Sequence, residues 1–173
     1  MEKIRCAWCG TDPLYMEYHD TEWGVPVKED DKLFEFLILE TFQAGLSWIT
    51  ILRKRENFRN ALDHFDYRKI AHYDASKIEL LLQDAGIIRN KLKKKATISN
   101  AAAFMQIQNE FGSFSNYIWK FTHHQPIKNS WKNLKELPAK TMLSDEISKD
   151  LKKRGFKFVG STVIYAHMQA TGM

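Results

Sequence analysis

Apolar residues recur at helical spacing along most of this chain, and strand-type alternation is scarce. The pattern predicts a helix over 30–43, with Leu33, Phe36, Leu37 and Glu40 on one face. Ala44-Gly45-Leu46 interrupts it. Ser47 stands where an N-cap belongs, and Trp48, Ile51, Leu52 and Phe58 mark a second helix over 48–60. The other side of that helix is basic, with Arg53, Lys54, Arg55 and Arg59. Shorter helices are predicted over 66–73 and 75–84, the second capped by Asp74 or Ser76. The turn DAGIIRN then leads into a Lys-rich helix from about 91 to 109. A helix around 113–122 precedes the loop HHQPIKNSWKN. Two further helices, over 143–154 and 160–171, flank RGFKFVG. No repeat or low-complexity segment breaks this order, so the expectation is an all-α chain with short connections, folded as one unit over 1–173.

Composition narrows the class. With 173 residues, 44% hydrophobic and 27% charged, the chain has enough material for a real core. No apolar run approaches the ~20 residues of a membrane helix, and the start MEKIRCAWCG offers no apolar leader. The expectation is a cytoplasmic protein without a membrane partner. Cys6 and Cys9 are then free thiols or metal ligands rather than a disulfide. The net charge of +5 conceals an asymmetry: residues 1–84 carry 11 Lys/Arg against 16 Asp/Glu, and residues 85–173 carry 15 against 5. A basic half of this kind favours a polyanionic partner, most simply nucleic acid.

Two stretches carry candidate chemistry. In 81–104 an apolar helix stops at Asp84-Ala85-Gly86, where Gly86 permits a turn and Ile87 and Ile88 can plug it into the core. A helix that starts near Arg89 would present backbone N–H groups to an anion, with Lys91, Lys93, Lys94 and Lys95 around it. The pattern resembles a helix-hairpin-helix, a sequence-independent DNA-backbone anchor; an ordinary helix corner with solvated lysines is the plainer alternative. The second stretch is LILETFQAGLSWITIL, residues 37–52, where Glu40 lies inside an apolar run. Burial of an unpaired carboxylate costs several kcal/mol. Taken alone, a buried Glu40 reads as a structural carboxylate that caps or braces another helix.

Four segments in order, CAWCGTDPLYMEYHDTEWGVP (6–26), LETFQAGLSWITILRKRENFR (39–59), DAGIIRNKLK (84–93) and KKRGFKFVG (152–160), closely resemble the 3-methyladenine DNA glycosylase I family of bacterial alkylation-repair enzymes. The resemblance runs over essentially the whole chain. It implies an all-α helix-hairpin-helix glycosylase fold, with the base pocket between two helical lobes. The anchor would lie at about 75–105, and the N- and C-terminal segments would form the second lobe. It also implies monofunctional hydrolysis of the N-glycosidic bond of 3-methyladenine in duplex DNA by a monomer, with free 3-methyladenine as product. By motif, Glu40 matches the glutamate that hydrogen-bonds the damaged base, and Trp48 the stacking tryptophan. Tyr15, Tyr18 and Trp23 match the aromatic lining. Gly45 and Leu46 match the loop at the lesion, with Leu46 as wedge. Gly86, Ile87, Arg89 and Lys91 belong to the expected DNA anchor. Methylation at N3 makes adenine cationic in DNA, and a flat cation suits aromatic faces and one carboxylate. Residues 85–144 contain no Asp, which fits a family without the catalytic aspartate common in this superfamily.

The family also implies a structural zinc ion held by two Cys and two His. Cys6 and His19 match the N-terminal pair. The C-terminal pair would follow the segment YAHMQATGM, so half of the expected set is present, with Cys9 and His167 outside it. One alternative to the enzyme is a non-catalytic helix-hairpin-helix protein that binds DNA lesions. A zinc-ribbon reading of CAWC fails for want of a second Cys pair.

Overall fold

The computed structural model describes residues 3–173. Among these residues there is no strand, and nine α-helices follow in order: α1 (Pro13–Thr21), α2 (Asp30–Gln43), α3 (Trp48–Ala61), α4 (Tyr67–Ile70), α5 (Ala75–Gln83), α6 (Lys91–Phe111), α7 (Phe114–Trp119), α8 (Met142–Lys153) and α9 (Ser161–Ala170). No helix is long and apolar enough to cross a membrane among the described residues.

Helix α2 has the predicted bounds but not the predicted single face. Every residue from Phe36 to Phe42 is buried, and α3, α6, α7 and α9 pack around it. A helix buried on all sides is apolar all round. Its N-terminal end is locked by Asp30, whose carboxylate accepts from Gln108 Nε2 (2.7 Å), Phe114 N (2.9 Å) and Ser115 N (2.8 Å).

Several boundaries moved, for local reasons. Periodicity does not predict α1, a nine-residue helix without an apolar stripe. Its start signal was nonetheless present: Pro13 opens the first turn, and Asp12 accepts from the backbone N of Leu14 and Tyr15. The helix expected over 66–73 shrinks to α4, and the one around 113–122 ends at Trp119 and continues as a 3₁₀ turn. Ser47 sits at the N-cap of α3 but does not cap its backbone; its hydroxyl instead meets Thr50 Oγ1 at 2.8 Å. Asp74, rather than Ser76, caps α5 by accepting from Lys77 N. Thr141 and Ser144 form a reciprocal capping box at α8.

The two ends of the chain meet at α9. Gly24 N donates to Ala170 O (3.3 Å) and Val27 N to Thr171 O (3.0 Å). Gly172 has φ +71°, and a Cβ there would stand 2.6 Å from Pro26 N. Only glycine permits that approach. The contact fixes Trp23, just upstream, beside the last turn of α9.

Candidate active site

The site grows from Glu40. Its helix places it in the core at 3% exposure, and its Oε2 has no hydrogen-bond partner among the described residues. Burial pushes the carboxyl up to about 8. It faces a cavity of about 130 Å³ lined by Trp8, Tyr15, Tyr18, Trp23, Gln43 and Trp48, with Ala166, Gln169 and Ala170 of α9 closing one side. Pockets for drug-sized ligands begin near ~300 Å³, so this one is sized for a single flat ring system rather than a whole nucleotide.

The aromatic lining is packed ring on ring. Trp8 lies 4.9 Å from Tyr15 and 5.2 Å from Trp23, edge to face with the latter. Tyr18 lies 5.7 Å from Trp48. The indole Nε1 of Trp48 is buried without a hydrogen-bond partner among the described residues. Burial first, and then the nearby Glu40 carboxylate, raise the Tyr18 phenol far above its ordinary value, so it stays a neutral donor.

Three helices must hold register for these walls to meet, and arginines from α3 hold them. Arg53 Nη2 contacts Asp12, the N-cap of α1, at 2.6 Å. Arg55 Nη1 contacts Glu22, the C-cap of α1, at 2.8 Å, while its Nε contacts Glu35 of α2 at 2.7 Å. Both ends of the helix that carries Tyr15 and Tyr18 are therefore tied to α3, and Arg55 also ties in the helix that carries Glu40. At the mouth, Gly45 takes φ +81° in a turn closed by Leu46 N to Gln43 O (2.7 Å) and Gln43 Nε2 to Leu46 O (3.2 Å). Leu46 projects from this turn at 37% exposure.

A methyladenine glycosylase sequence model matches residues 8–173. The chain belongs to the methyladenine glycosylase family. It is 50% identical over 169 residues to DNA-3-methyladenine glycosylase 1 of Escherichia coli, covering 98% of this chain and 90% of that protein. It is 46% identical to DNA-3-methyladenine glycosylase of Haemophilus influenzae, covering 98% and 91%. A crystal structure of 3-methyladenine DNA glycosylase I superposes with TM-score 0.95 at 48% identity, covering 98% of this chain and 93% of that one. A structure of the Staphylococcus aureus enzyme, solved to explain its recognition of 3-methyladenine, gives 0.94 at 33% identity, covering 97% and 89%.

In this glycosylase chain the five residues expected at the base, Tyr15, Tyr18, Trp23, Glu40 and Trp48, line one cavity. Sequence reasoning missed Trp8, Gln43, Ala166, Gln169 and Ala170. Trp8 lay inside the CAWC segment and Gln43 inside LETFQAGLSW, so an unassigned indole and amide in matching motifs were the available signals. Nothing local marked Ala166, Gln169 or Ala170, because α9 reaches the pocket only through the tertiary fold.

The expected DNA anchor is rearranged. Gly86 makes a close fit rather than a left-handed turn: a Cβ there would stand 3.0 Å from Asp84 Oδ1 and 3.2 Å from Asn57 Nδ2, side-chain ends that would have to give way slightly. Ile87 is buried as expected. The helix begins at Lys91, capped by Asn90, instead of near Arg89. Arg89 and Lys91 are exposed, but two lysines of the expected phosphate site turn inward. Lys93 Nζ donates to Phe42 O (3.3 Å) and Ala44 O (3.4 Å), capping the end of α2, and Lys94 donates to Leu81 O at the end of α5. A second corner, α8–RGFKFVG–α9, is the more open one. Phe156 and Val159 plug it into the core. The N-terminus of α9 has no side-chain cap. It opens on a cavity of about 590 Å³ whose lining includes Lys140, Lys149, Lys152, Gly160 and Ser161, together with Asp145, which hydrogen-bonds Ser161 and pairs with Lys140.

Cys6 and His19 are also brought together. His19 Nε2 accepts from Cys6 N at 3.2 Å, and His19 Nδ1 lies 3.1 Å from Asp20 Oδ1, a pairing that favours the Nδ1–H tautomer. Two donors are half of a tetrahedral set, and among the described residues no third His, Cys, Asp or Glu joins them in a group that could hold a metal. By themselves these residues do not make the zinc site. His167 is elsewhere, buried against Leu33 O at 3.2 Å.

Proposed function

We propose that the protein excises 3-methyladenine from duplex DNA by hydrolysis of its N-glycosidic bond. The observation that carries the reading is the buried Glu40 carboxyl, whose Oε2 has no hydrogen-bond partner among the described residues, in a base-sized aromatic pocket. Such a group is costly in the empty site and is matched when a flat cation enters. A normal adenine is neutral and leaves the carboxylate uncompensated, so charge and shape both discriminate. Relatives named for 3-methyladenine, and a solved variant of 3-methyladenine DNA glycosylase I in complex with that base, support the same substrate.

The base must leave the helix to reach Glu40, and a damaged, weakly stacked pair flips at lower cost. Leu46, beside the pocket mouth, would fill the vacated stack. Departure of the base takes the electron pair of the C1′–N9 bond onto an already cationic ring and neutralises it. Water then adds to the sugar C1′ and gives up a proton. Glu40 steadies the cationic base through its exocyclic amino group, and the aromatic faces hold it in plane. No lysine lines the pocket among the described residues, which supports hydrolysis by water over an amine adduct. The backbone would rest on both helix corners, through Arg89 and Lys91 at one and through Lys149, Lys152 and the open start of α9 at the other.

Alkylated duplex DNA tests the reading directly. Released 3-methyladenine, 7-methylguanine and strand breaks are to be quantified separately. Selective release of 3-methyladenine with intact, abasic strands is expected; DNA binding without release would identify a lesion binder instead. We also propose that Cys6 and His19 serve a structural zinc site with two further donors. Metal analysis of the protein and of Cys6→Ser checks this, and equal zinc in both would reject Cys6 as a ligand.

A further inference from the structure

The segment between α7 and α8 has no part in the pocket, yet its surface is unusual. Every residue from His123 to Glu136 is exposed. Three large apolar side chains lie in it at about half exposure: Ile127 at 49%, Trp131 at 47% and Leu134 at 56%. Between them stand Lys128, Lys132 and Lys135, and no carboxylate of the described residues lies within ion-pair distance of them. The one acid, Glu136, is turned back on the segment. It accepts from Lys132 N at 2.9 Å and Asn133 Nδ2 at 2.7 Å, which orders the turn and leaves three lysines against one carboxylate in the segment.

One end of the segment is tied to the residues that follow α9, and the other to α8 beside the start of α9. Ile127 N donates to Met173 O at 2.7 Å, just past the end that lines the base pocket. Lys140, at the other end, pairs with Asp145 at 3.4 Å and lines the basic cavity at the start of α9. The helix has ten residues and so spans about 15 Å. The segment therefore runs from beside the lesion pocket to the second basic corner, with lysines and an indole along the way. Lysines interleaved with an exposed aromatic suit a phosphate backbone and the sugar or base faces beside it. A protein partner would be expected to meet the apolar groups with fewer free cations.

We propose that Ile127 to Lys140 forms a second contact with duplex DNA flanking the lesion. Lys128, Lys132 and Lys135 take backbone phosphates, and Trp131 packs on the sugar edge between them. This rests on the glycosylase reading above, and its test is separable from that reading. Binding of an undamaged, fluorescein-labelled duplex is measured against salt for the wild type, K128Q/K132Q/K135Q and W131A. Each lost phosphate contact should make the slope of log K against log salt shallower by about 0.9, up to nearly 3 for the triple variant. Affinity near 0.1 M salt should fall by roughly tenfold or more. W131A should bind several-fold more weakly with its slope unchanged, since an indole releases no counterion. Release of 3-methyladenine at saturating enzyme should be the same in all three proteins.

A triple variant with the wild-type slope and affinity would overturn the proposal and leave the segment as a solvated face or a surface for another protein. Should the triple variant melt at a lower temperature, K132Q and K135Q singly, each expected to change the slope by about 0.9, decide the matter. A wild type that binds undamaged duplex but releases no base would sink the glycosylase reading while the slope comparison still stands.

Discussion

Glu40→Gln should lose base release by on the order of 10²–10³-fold while the fold holds. Removal of one partner from a buried charge pair typically costs about 2–5 kcal/mol, and here the partner is the cationic base rather than another side chain. The amide keeps the shape of the carboxylate and one acceptor oxygen, so the pocket walls have no reason to move. What is lost is the charge, and with it the preference for methylated over normal adenine. Single-turnover release of 3-methyladenine, with a thermal melt on the same protein, separates the possibilities. A drop in rate with an equal or higher melting temperature places Glu40 at the substrate. A parallel loss of rate and stability would make it a brace for the helices, and a near-normal rate would transfer the recognition to the aromatic rings alone.

The same carboxyl should give opposite pH trends in stability and in activity. It ionises at about 4.5 when unfolded and at about 8 in the free pocket, raised by burial. Below pH 4.5 it is protonated in both states and contributes nothing. As the pH rises towards 8 the unfolded chain ionises first, so stability falls at about 1.4 kcal/mol per pH unit. The loss totals roughly 5 kcal/mol and levels off above pH 8. His167 works the other way. Burial holds it down to about 4, so its contribution is complete above pH 6.5 and is lost as the pH falls towards 4. Subtraction of the Glu40→Gln melting curve from the wild-type curve cancels His167 and leaves the carboxyl alone. Activity should move with ionisation, since only the carboxylate matches a cation. The value of kcat/KM should rise about tenfold per pH unit up to about 8 and then level, and Glu40→Gln should be flat over that range. A wild-type profile already flat between pH 6 and 8 would mean that the charged form is not what the substrate meets.

Much of the site was legible because its motif is local. Glu40 and Trp48 lie eight positions apart across one helix break, and Tyr15, Tyr18 and Trp23 lie within one helix and the turn after it. Glu40 could be read as chemically odd from its apolar neighbours alone, before any partner was known. Arg53 and Arg55 were legible only as a basic helix face. Their acidic partners Asp12, Glu22 and Glu35 lie 20 to 41 positions upstream, and the pairing that holds three pocket walls together could not be inferred from spacing.

The sequence by itself determined an all-helical chain, the bounds of α2 and very nearly those of α3, and the residue types of the base pocket. Helical periodicity and capping act over three or four positions, and the pattern of side chains records them directly. Tertiary structure decided where the charges go. Lys93 and Lys94 resemble phosphate ligands in one dimension. In the fold they satisfy the last carbonyls of two other helices, one of them 51 positions away, because buried carbonyls at helix ends need donors. Packing alone brought α9, with Gln169 and Ala170, to a pocket whose other walls come from residues 8–48. It also gathered Lys140, Lys149 and Lys152 around Asp145 at the start of α9. Such contacts join distant positions, and they exist only once the core around α2 has closed.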